Sequence, residues 1–325
     1  MKWGIVGTGK ISRSVVADLG SVRADVVLVH SRVMKNAERF AEEFGVGRFT
    51  DSYEEVLASK VDIIYIATPF ATHYELTRQA ILAGKHVLVE KPMATCAEEV
   101  EELFRLAEMH NVFLMEGMWM KFNPAFRLLL REVVAGRIGE PRSLRSSFCM
   151  PMPEEGSRWN LHGSPGALLD QGIYPVTLAH CLFGAPNSVY AVGRLRGDGL
   201  DLAEHFTLEF DAGRFATGSS SMIDLGEASA AVSGTTGWIV LPAMFWATTS
   251  LEIHAGTWER IMHNPERVDI EREGYGYVPM LREVAKALDA GWREHPVHTA
   301  EHTLAVFRTL DEIRRQLVAA DGQQR

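Results

Sequence analysis

Short apolar runs alternate with segments of helical periodicity over the first part of the chain. Between the runs, apolar residues recur at the spacing of one helix face, as at Ala37, Phe40 and Phe44. The runs have the length and the β-branched content of buried strands, and they cover residues 2–7, 26–29, 61–67, 86–89 and 112–115. Such alternation predicts a parallel, doubly wound sheet with right-handed crossovers.

The pattern changes after Met115. Helices are predicted at 122–134 and 167–183, on either side of a strand at 142–148. Turn residues then separate six β-prone runs, which predicts an antiparallel arrangement. The runs cover residues 189–195, 205–210, 215–222, 228–232, 238–241 and 251–254. Two helices, at 278–290 and 299–318, close the chain.

These patterns predict an α/β protein of two domains. Residues 1–120 would form a Rossmann domain with a doubly wound parallel sheet. Residues 121–325 would form an α+β domain with a large, open, mostly antiparallel sheet, and the last helices would pack back on the first domain.

The first strand ends in a glycine-rich loop that opens a helix. Gly7 and Gly9 occupy the first two positions of G-x-G-x-x-G, and Ser12 stands at the third. This context favours a dinucleotide pyrophosphate at the helix N-terminus, although an ordinary strand-to-helix turn has the same pattern. The predicted cofactor-binding loop consists of Gly7, Thr8, Gly9, Lys10 and Ile11.

The end of the second strand indicates which dinucleotide is preferred. An acidic residue there would bind the ribose hydroxyls of NAD. This chain has Ser31 and Arg32 instead, with Lys35 close by. A hydroxyl and a guanidinium suit a 2′-phosphate, so we expect NADP, with NAD as the less favoured cofactor. The alternative without a binding role is that Arg32 is simply a solvated surface residue.

Composition excludes several functions. The chain has 325 residues and a net charge of −9, so a nucleic acid or an anionic membrane is not expected as a partner. It begins without the apolar block of a signal peptide, and no run approaches the roughly 18 apolar residues of a membrane span. Its three cysteines are widely spaced, which indicates reduced thiols and a cytoplasmic location.

His298 and His302 lie four residues apart beside Glu301, which resembles one face of a metal-binding helix. No other part of a zinc motif accompanies them. We therefore interpret them as a solvated helix face and expect no metal.

Three motifs give the chain a family resemblance over nearly its full length. They are Glu90-Lys91-Pro92, the segment 116–124 (EGMWMKFNP) and the segment 166–175 (GALLDQGIYP). With the glycine loop, they resemble the Gfo/Idh/MocA oxidoreductases, and most of all the branch of dimeric dihydrodiol dehydrogenases and NADP-dependent xylose 1-dehydrogenases. The resemblance implies a nicotinamide cofactor and a C-terminal domain that binds substrate and forms a homodimer or homotetramer through its sheet.

The resemblance also implies a catalytic set of Lys91, Asp170 and Tyr174. Asp170 and Tyr174 lie four apart, hence on one helix face, where an ordinary helix-cap aspartate and a core tyrosine are the alternatives. Lys91 would bind the reacting oxygen and lower the pKa of Tyr174, the general base, while Asp170 orients Lys91. The reverse assignment, with lysine moving the proton, stays open.

Further positions are assigned to the two ligands. Thr68, Pro69 and His73 are expected beside the adenosine or the nicotinamide, and Glu90 at the nicotinamide ribose. Four candidates for the substrate wall are Trp119, Phe122, Arg158 and Trp159, although each aromatic residue is equally suited to a core.

The expected activity is NADP-dependent hydride transfer with a secondary hydroxyl or hemiacetal of a sugar, polyol or cyclic trans-diol. The alternatives are a redox-assisted NAD(P)-dependent glycosidase and a non-catalytic cofactor-sensing protein.

Overall fold

The computed structural model describes residues 1–154, 157–161 and 166–324. The chain divides into two compact units, and each combines two stretches of sequence. Unit 1 consists of Met1–Trp119 and Arg272–Leu304, and unit 2 of Met120–Glu271 and Ala305–Arg325. None of the helices in the described residues is long and apolar enough to cross a membrane.

Unit 1 contains a parallel sheet of six strands in the order β3-β2-β1-β4-β5-β6. The strands are β1 (Lys2–Val6), β2 (Asp25–His30), β3 (Phe49–Thr50), β4 (Ile63–Ile66), β5 (His86–Val89) and β6 (Leu114–Glu116). The helices between them are α1 (Lys10–Ser21), α2 (Met34–Phe44), α3 (Tyr53–Ala58), α4 (His73–Leu82) and α5 (Ala97–Met109). The strand order reverses between β1 and β4, so the predicted doubly wound fold is confirmed.

Local sequence signals set several helix ends in unit 1. The Ser52 hydroxyl accepts a hydrogen bond from the Glu55 amide and caps α3, and Gly45 ends α2 in the left-handed conformation at φ 68°. The central strands are fully buried, for example at Ile5 and Ile64, which explains why they read as continuous apolar runs.

Unit 2 contains an eight-stranded sheet in the order β14-β13-β12-β11-β7-β10-β9-β8. The strands are β7 (Pro141–Cys149), β8 (Ser188–Leu195), β9 (Asp201–Phe210), β10 (Arg214–Ser221), β11 (Ala230–Gly234), β12 (Gly237–Leu241), β13 (Ser250–Ala255) and β14 (Glu266–Asp269). Among the described strands of this sheet, the neighbours β7 and β10 pair in parallel, and the other neighbours pair antiparallel. The predicted mostly antiparallel sheet is therefore confirmed.

The remaining helices are α6 (Pro124–Val134), α7 (Ile173–Phe183), α8 (Trp258–Met262), α9 (Val278–Asp289) and α10 (Ala300–Gln324). Helix α9 belongs to unit 1, where it packs on α1. In unit 2, α7 packs on β7 and β10, so one face of the sheet is covered by helix.

The structure differs from the predictions at four elements. A π-helical turn occupies Leu168–Gly172 ahead of α7, where an uninterrupted α-helix was expected. Strand β3 has only two residues, too few to show a periodic pattern. Strand β14 is a charged edge strand, in which apolar and polar residues do not alternate clearly enough to predict it. Helix α10 continues to Gln324 instead of ending at 318.

Candidate active site

The carboxyl ends of adjacent parallel strands gather the predicted cofactor residues at one edge of the unit 1 sheet. The glycine loop follows β1, Ser31 and Arg32 follow β2, and Thr68 and Pro69 follow β4. Glu90 and Lys91 follow β5. Ligands of doubly wound sheets bind at this edge, next to the point where the strand order reverses.

The glycine loop fits a dinucleotide phosphate. Gly7 has φ +108°, and a Cβ there would lie 2.4 Å from the Ala67 carbonyl oxygen, so only glycine can make the turn. A Cβ on Gly9 would contact nothing within 4 Å, which leaves open space at the N-terminus of α1. Ser12 is fully buried in α1, so a small side chain suffices at the third motif position.

Ser31 and Arg32 lie in the bend between β2 and α2. Ser31 is half-buried, and its hydroxyl accepts from the Val33 amide at 3.5 Å. Arg32 and Lys35 are exposed. Both cationic residues therefore follow the carboxyl end of β2, the edge at which this fold binds the ribose of a dinucleotide.

Two buried side chains hold the backbone directly after Lys91. The His73 ring lies between the carbonyl oxygens of Thr68 and Pro92, at 2.9 and 2.8 Å. Glu116 Oε1 accepts from the Met93 amide at 3.0 Å. His73 is therefore buried between two loops, and its ring contacts the turn after Lys91 as well as the Thr68 loop.

Glu116 is held in turn by a second histidine. His298 Nε2 donates to Glu116 Oε2 at 3.1 Å, and both side chains are 2% exposed. His298 precedes α10, whereas His302 is exposed on that helix. The interpretation of this pair as a solvated helix face is thus wrong for His298, whose partner Glu116 is too distant in sequence to be found by spacing.

Glu90 is a buried carboxyl group beside Lys91. Tyr65 donates to Glu90 Oε1 at 2.7 Å. Burial raises the pKa of Glu90 to about 7, and the nearby Glu116 adds to this effect, while Tyr65 and Lys91 oppose it. Burial also raises the pKa of Tyr65 well above its ordinary value, so this phenol stays a hydrogen-bond donor.

In unit 2, Asp170 lies within the π-helical turn and Tyr174 in the first turn of α7. The exposed Arg158 donates from Nε to Asp170 Oδ2 at 2.7 Å. The structure therefore joins a predicted substrate residue directly to a predicted catalytic one. No spacing in the sequence indicates this pair.

Tyr174 is buried in an aromatic cluster that the sequence did not reveal. Phe148 and Trp246 stack at 3.4 Å between ring centroids, and the Tyr174 ring lies 5.6 Å from Phe148 and 5.9 Å from Trp246. This apolar surrounding fixes the ring plane of Tyr174 and lowers the local polarity.

The other substrate-wall candidates occupy different surroundings. Trp119 is buried in unit 1 with its ring 5.1 Å from Tyr277, and Phe122 is buried in unit 2. Trp159 is partly buried and donates from its indole to the Met152 carbonyl at 3.2 Å. Within the described residues, no group of three or more His, Cys, Asp or Glu side chains is arranged to hold a metal.

The sheet order, the glycine loop and the lysine turn define a Rossmann-fold enzyme that uses a dinucleotide. Residues 1–118 match the model of the oxidoreductase family with an NAD-binding Rossmann fold, and residues 126–240 match the C-terminal domain of the same family. The chain thus belongs to the Gfo/Idh/MocA family and is an NAD(P)-dependent oxidoreductase that acts on CH–OH groups.

Similar proteins span the whole chain. It is 33% identical to the trans-1,2-dihydrobenzene-1,2-diol dehydrogenase of Mus musculus, over 98% of this chain and 97% of that protein. The corresponding protein of Xenopus tropicalis is 30% identical, over 97% and 98%. A 3-ketoreductase from Actinomadura kijaniata, in complex with NADP and TDP-benzene, has a TM-score of 0.87 and 27% identity, over 98% of each chain.

The buried state of Glu90 predicts how stability depends on pH. The pKa of Glu90 is about 7 in the folded chain against an ordinary 4.5, so the folded state holds a proton that the unfolded chain releases. Stability should therefore fall as pH rises through this window, by up to about 3 kcal/mol from this group. Urea unfolding at about pH 5 and about pH 8 measures the effect.

Glu90→Gln should lose less free energy of unfolding between the two pH values than the wild type, by about 2–3 kcal/mol. The variant Glu108→Gln, at an exposed position on α5, should behave like the wild type. Equal pH dependence of wild type and Glu90→Gln would contradict the assignment.

Proposed function

We propose that this oxidoreductase uses NADP and transfers a hydride between the nicotinamide and a secondary hydroxyl or hemiacetal of a sugar, polyol or cyclic trans-diol. The observation that carries the proposal is the rigid turn after β5, which presents Lys91 at the cofactor edge of the sheet. The names of the similar dehydrogenases and ketoreductase support this substrate class. The three free cysteines support a cytoplasmic location.

The cofactor is held by the residues gathered at the sheet edge. The α1 N-terminus and the glycine loop bind the pyrophosphate, while Ser31 and Arg32 bind the 2′-phosphate. Thr68 and Pro69 line the adenosine or nicotinamide side, His73 keeps their loop in place, and Glu90 binds the nicotinamide ribose.

The nicotinamide supplies the hydride acceptor. Lys91 donates a hydrogen bond to the substrate oxygen and stabilises negative charge on it. A free tyrosine has a pKa of about 10, so Tyr174 needs a positive charge close by to act as a base at neutral pH, and we assign that part to Lys91. Tyr174 then takes the hydroxyl proton.

Asp170 links the catalytic set to the substrate wall. We assign to its carboxylate the task of orienting Lys91 or balancing its charge. The same carboxylate forms the ion pair with Arg158, whose remaining guanidinium hydrogens are suited to substrate hydroxyl groups. Trp119, Phe122 and Trp159 supply apolar surface around the substrate.

A screen of aldoses, polyols and dihydrodiols with NADP, followed by NADPH absorbance, tests this function. NADPH formation with at least one of these classes is the expected result. Substrate consumption without net NADPH would favour a redox-assisted glycosidase, and NADP binding without any turnover would favour a cofactor-sensing protein.

Substitution of the proposed catalytic residues should abolish most turnover. Lys91→Met and Tyr174→Phe should each reduce kcat by about 100-fold or more, because each removes proton transfer or charge stabilisation. NADP affinity, measured by fluorescence titration, should change far less for Tyr174→Phe. Exposed Lys286→Met serves as one matched control, and Tyr74→Phe, which removes a hydroxyl that donates to Glu102 on α5, serves as the other; both should keep wild-type turnover. Near wild-type kcat in either catalytic variant would refute the scheme.

The cofactor preference depends on Arg32. Arg32→Ala should raise the KM for NADP by about 10-fold or more and leave the KM for NAD nearly unchanged, because one charge-assisted hydrogen bond to the phosphate is lost. Arg39→Ala, at an exposed position on α2, is the control. A wild type that uses NAD as well as or better than NADP would refute the preference.

We also propose that the face of the unit 2 sheet opposite α7 forms the subunit interface. Tyr190, Val192 and Phe215 lie on this face with 58, 65 and 42% of their surface exposed, and cross-strand pairing places Thr207 and Thr217 among them. Exposed apolar side chains on a wide sheet favour association with a second copy.

Val192→Arg should shift a homodimer or homotetramer towards monomer in light-scattering measurements, because a charge would be buried in the interface. Val134→Arg changes the same residue type at a position that is 88% exposed at the end of α6, and should leave the assembly intact. A monomeric wild type would refute this interface.

A further inference from the structure

We propose that Gln171 is a positioning residue, which holds the π-helical turn so that Asp170 and Tyr174 reach their reactive placement. This inference rests on the proposed function, because it concerns residues that the proposal makes catalytic. Gln171 is 1% exposed and lies next to Asp170 within the turn.

The Gln171 amide bridges the ends of the two central parallel strands of the unit 2 sheet. Its Nε2 donates to the Met150 carbonyl, directly after β7, at 2.9 Å. Its Oε1 accepts from the amide of Ser221, the last residue of β10, at 3.2 Å. One side chain thus attaches the turn to both strands. Because its partners are backbone groups, these hydrogen bonds do not depend on which side chains occupy positions 150 and 221.

The same turn is held at both of its ends. Leu168 donates its amide to Asp201 Oδ2 at 2.7 Å, where the turn begins. At the other end, a Cβ on Gly172 would lie 2.6 Å from Ser220 Oγ, so the backbone packs directly on the hydroxyl that donates to the buried Glu204. Asp201 and Glu204 both lie on β9, beneath the turn.

This attachment matters because a π turn contains one residue more than the α turn it replaces. Relaxation to an α-helix would rotate residues before the turn relative to those after it by about 100°. Asp170 lies inside the turn and Tyr174 beyond it, so their relative placement depends on the turn being kept. Gln171 is the side chain that fixes its middle.

The chain contains a matched control for this interaction. Gln316 on α10 also bridges two backbone groups, although both belong to one strand. Its Nε2 donates to the Val189 carbonyl at 2.7 Å, and its Oε1 accepts from the Ala191 amide at 2.8 Å. Both glutamines tie a helix to the same sheet, but Gln316 contacts β8, far along the strand order from β7.

The test compares Gln171→Met with Gln316→Met, since methionine keeps the length of the side chain and removes both hydrogen bonds. Gln171→Met should reduce kcat by about 10- to 100-fold, as expected for a misplacement of about 1 Å, with an unchanged dissociation constant for NADP. Gln316→Met should keep kcat despite a similar loss of thermal stability. Equal effects of the two variants on kcat would overturn the inference.

Gln171→Glu adds a pH readout that a purely structural role would not produce. When protonated, a carboxyl group at 171 can again donate to Met150 and accept from Ser221; when ionised, it cannot donate. Its kcat relative to wild type should therefore recover as pH falls, with Asp170, Asp201, Glu204 and Cys149 as the neighbouring titratable groups. A pH-independent ratio would count against the inference.

A crystal structure of Gln171→Met separates this inference from the proposed function. Loss or displacement of the π turn at 168–172 is expected, and an unchanged turn would overturn the inference whatever the activity. Absence of turnover in the wild type, by contrast, would refute the proposed function alone, while the structural readout still decides the role of Gln171.

Discussion

The hydrogen bonds that His73 and Glu116 make to the turn after Lys91 are the constraint on which the cofactor edge depends. Both side chains are buried, and they restrict the conformation of the turn because its polar backbone groups pair with them. Glu116 is itself held by His298, which comes from the segment that returns to unit 1 late in the chain. The position of Lys91 therefore depends on residues far apart in sequence.

In unit 2, other side chains hold the backbone beside the proposed catalytic residues. There the turn with Asp170 is attached through Gln171, Asp201 and the close approach of Gly172 to the sheet. In both units, buried polar side chains bind backbone groups at the ends of strands, so the proposed reactive side chains stand on fixed supports. Fixed placement matters because proton transfer and charge stabilisation decline steeply with distance.

Much of this architecture could be predicted from the sequence, because burial dictates the pattern. Strands of the parallel sheet such as β1 and β4 are buried on both faces and are continuous apolar runs. The helix ends at Gly45 and Ser52 depend on local hydrogen bonds between residues close in sequence, so they too are accessible to sequence analysis. The family resemblance, carried by the motifs around Lys91 and Asp170, supplied the catalytic assignments, which remain proposals.

Features that depend on distant partners were not predictable. His298 was misread because its partner Glu116 lies 182 positions away, and Tyr65 has the appearance of a strand residue until Glu90 is placed beside it. The π turn at Leu168–Gly172 was not predicted, because the spacing of apolar residues over five positions does not distinguish it from an α-helix. The ion pair of Arg158 and Asp170 likewise follows from the fold alone.

Transfer of deuterium from substrate to cofactor is the decisive test of the proposed hydride transfer. A substrate found by the screen, labelled with deuterium at the carbon that bears the reacting hydroxyl, is incubated with NADP, and the reduced cofactor is examined by mass spectrometry. If the hydride leaves the labelled carbon for the nicotinamide ring, the deuterium appears in NADPH in proportion to product. Product formation with no deuterium in the cofactor would contradict it.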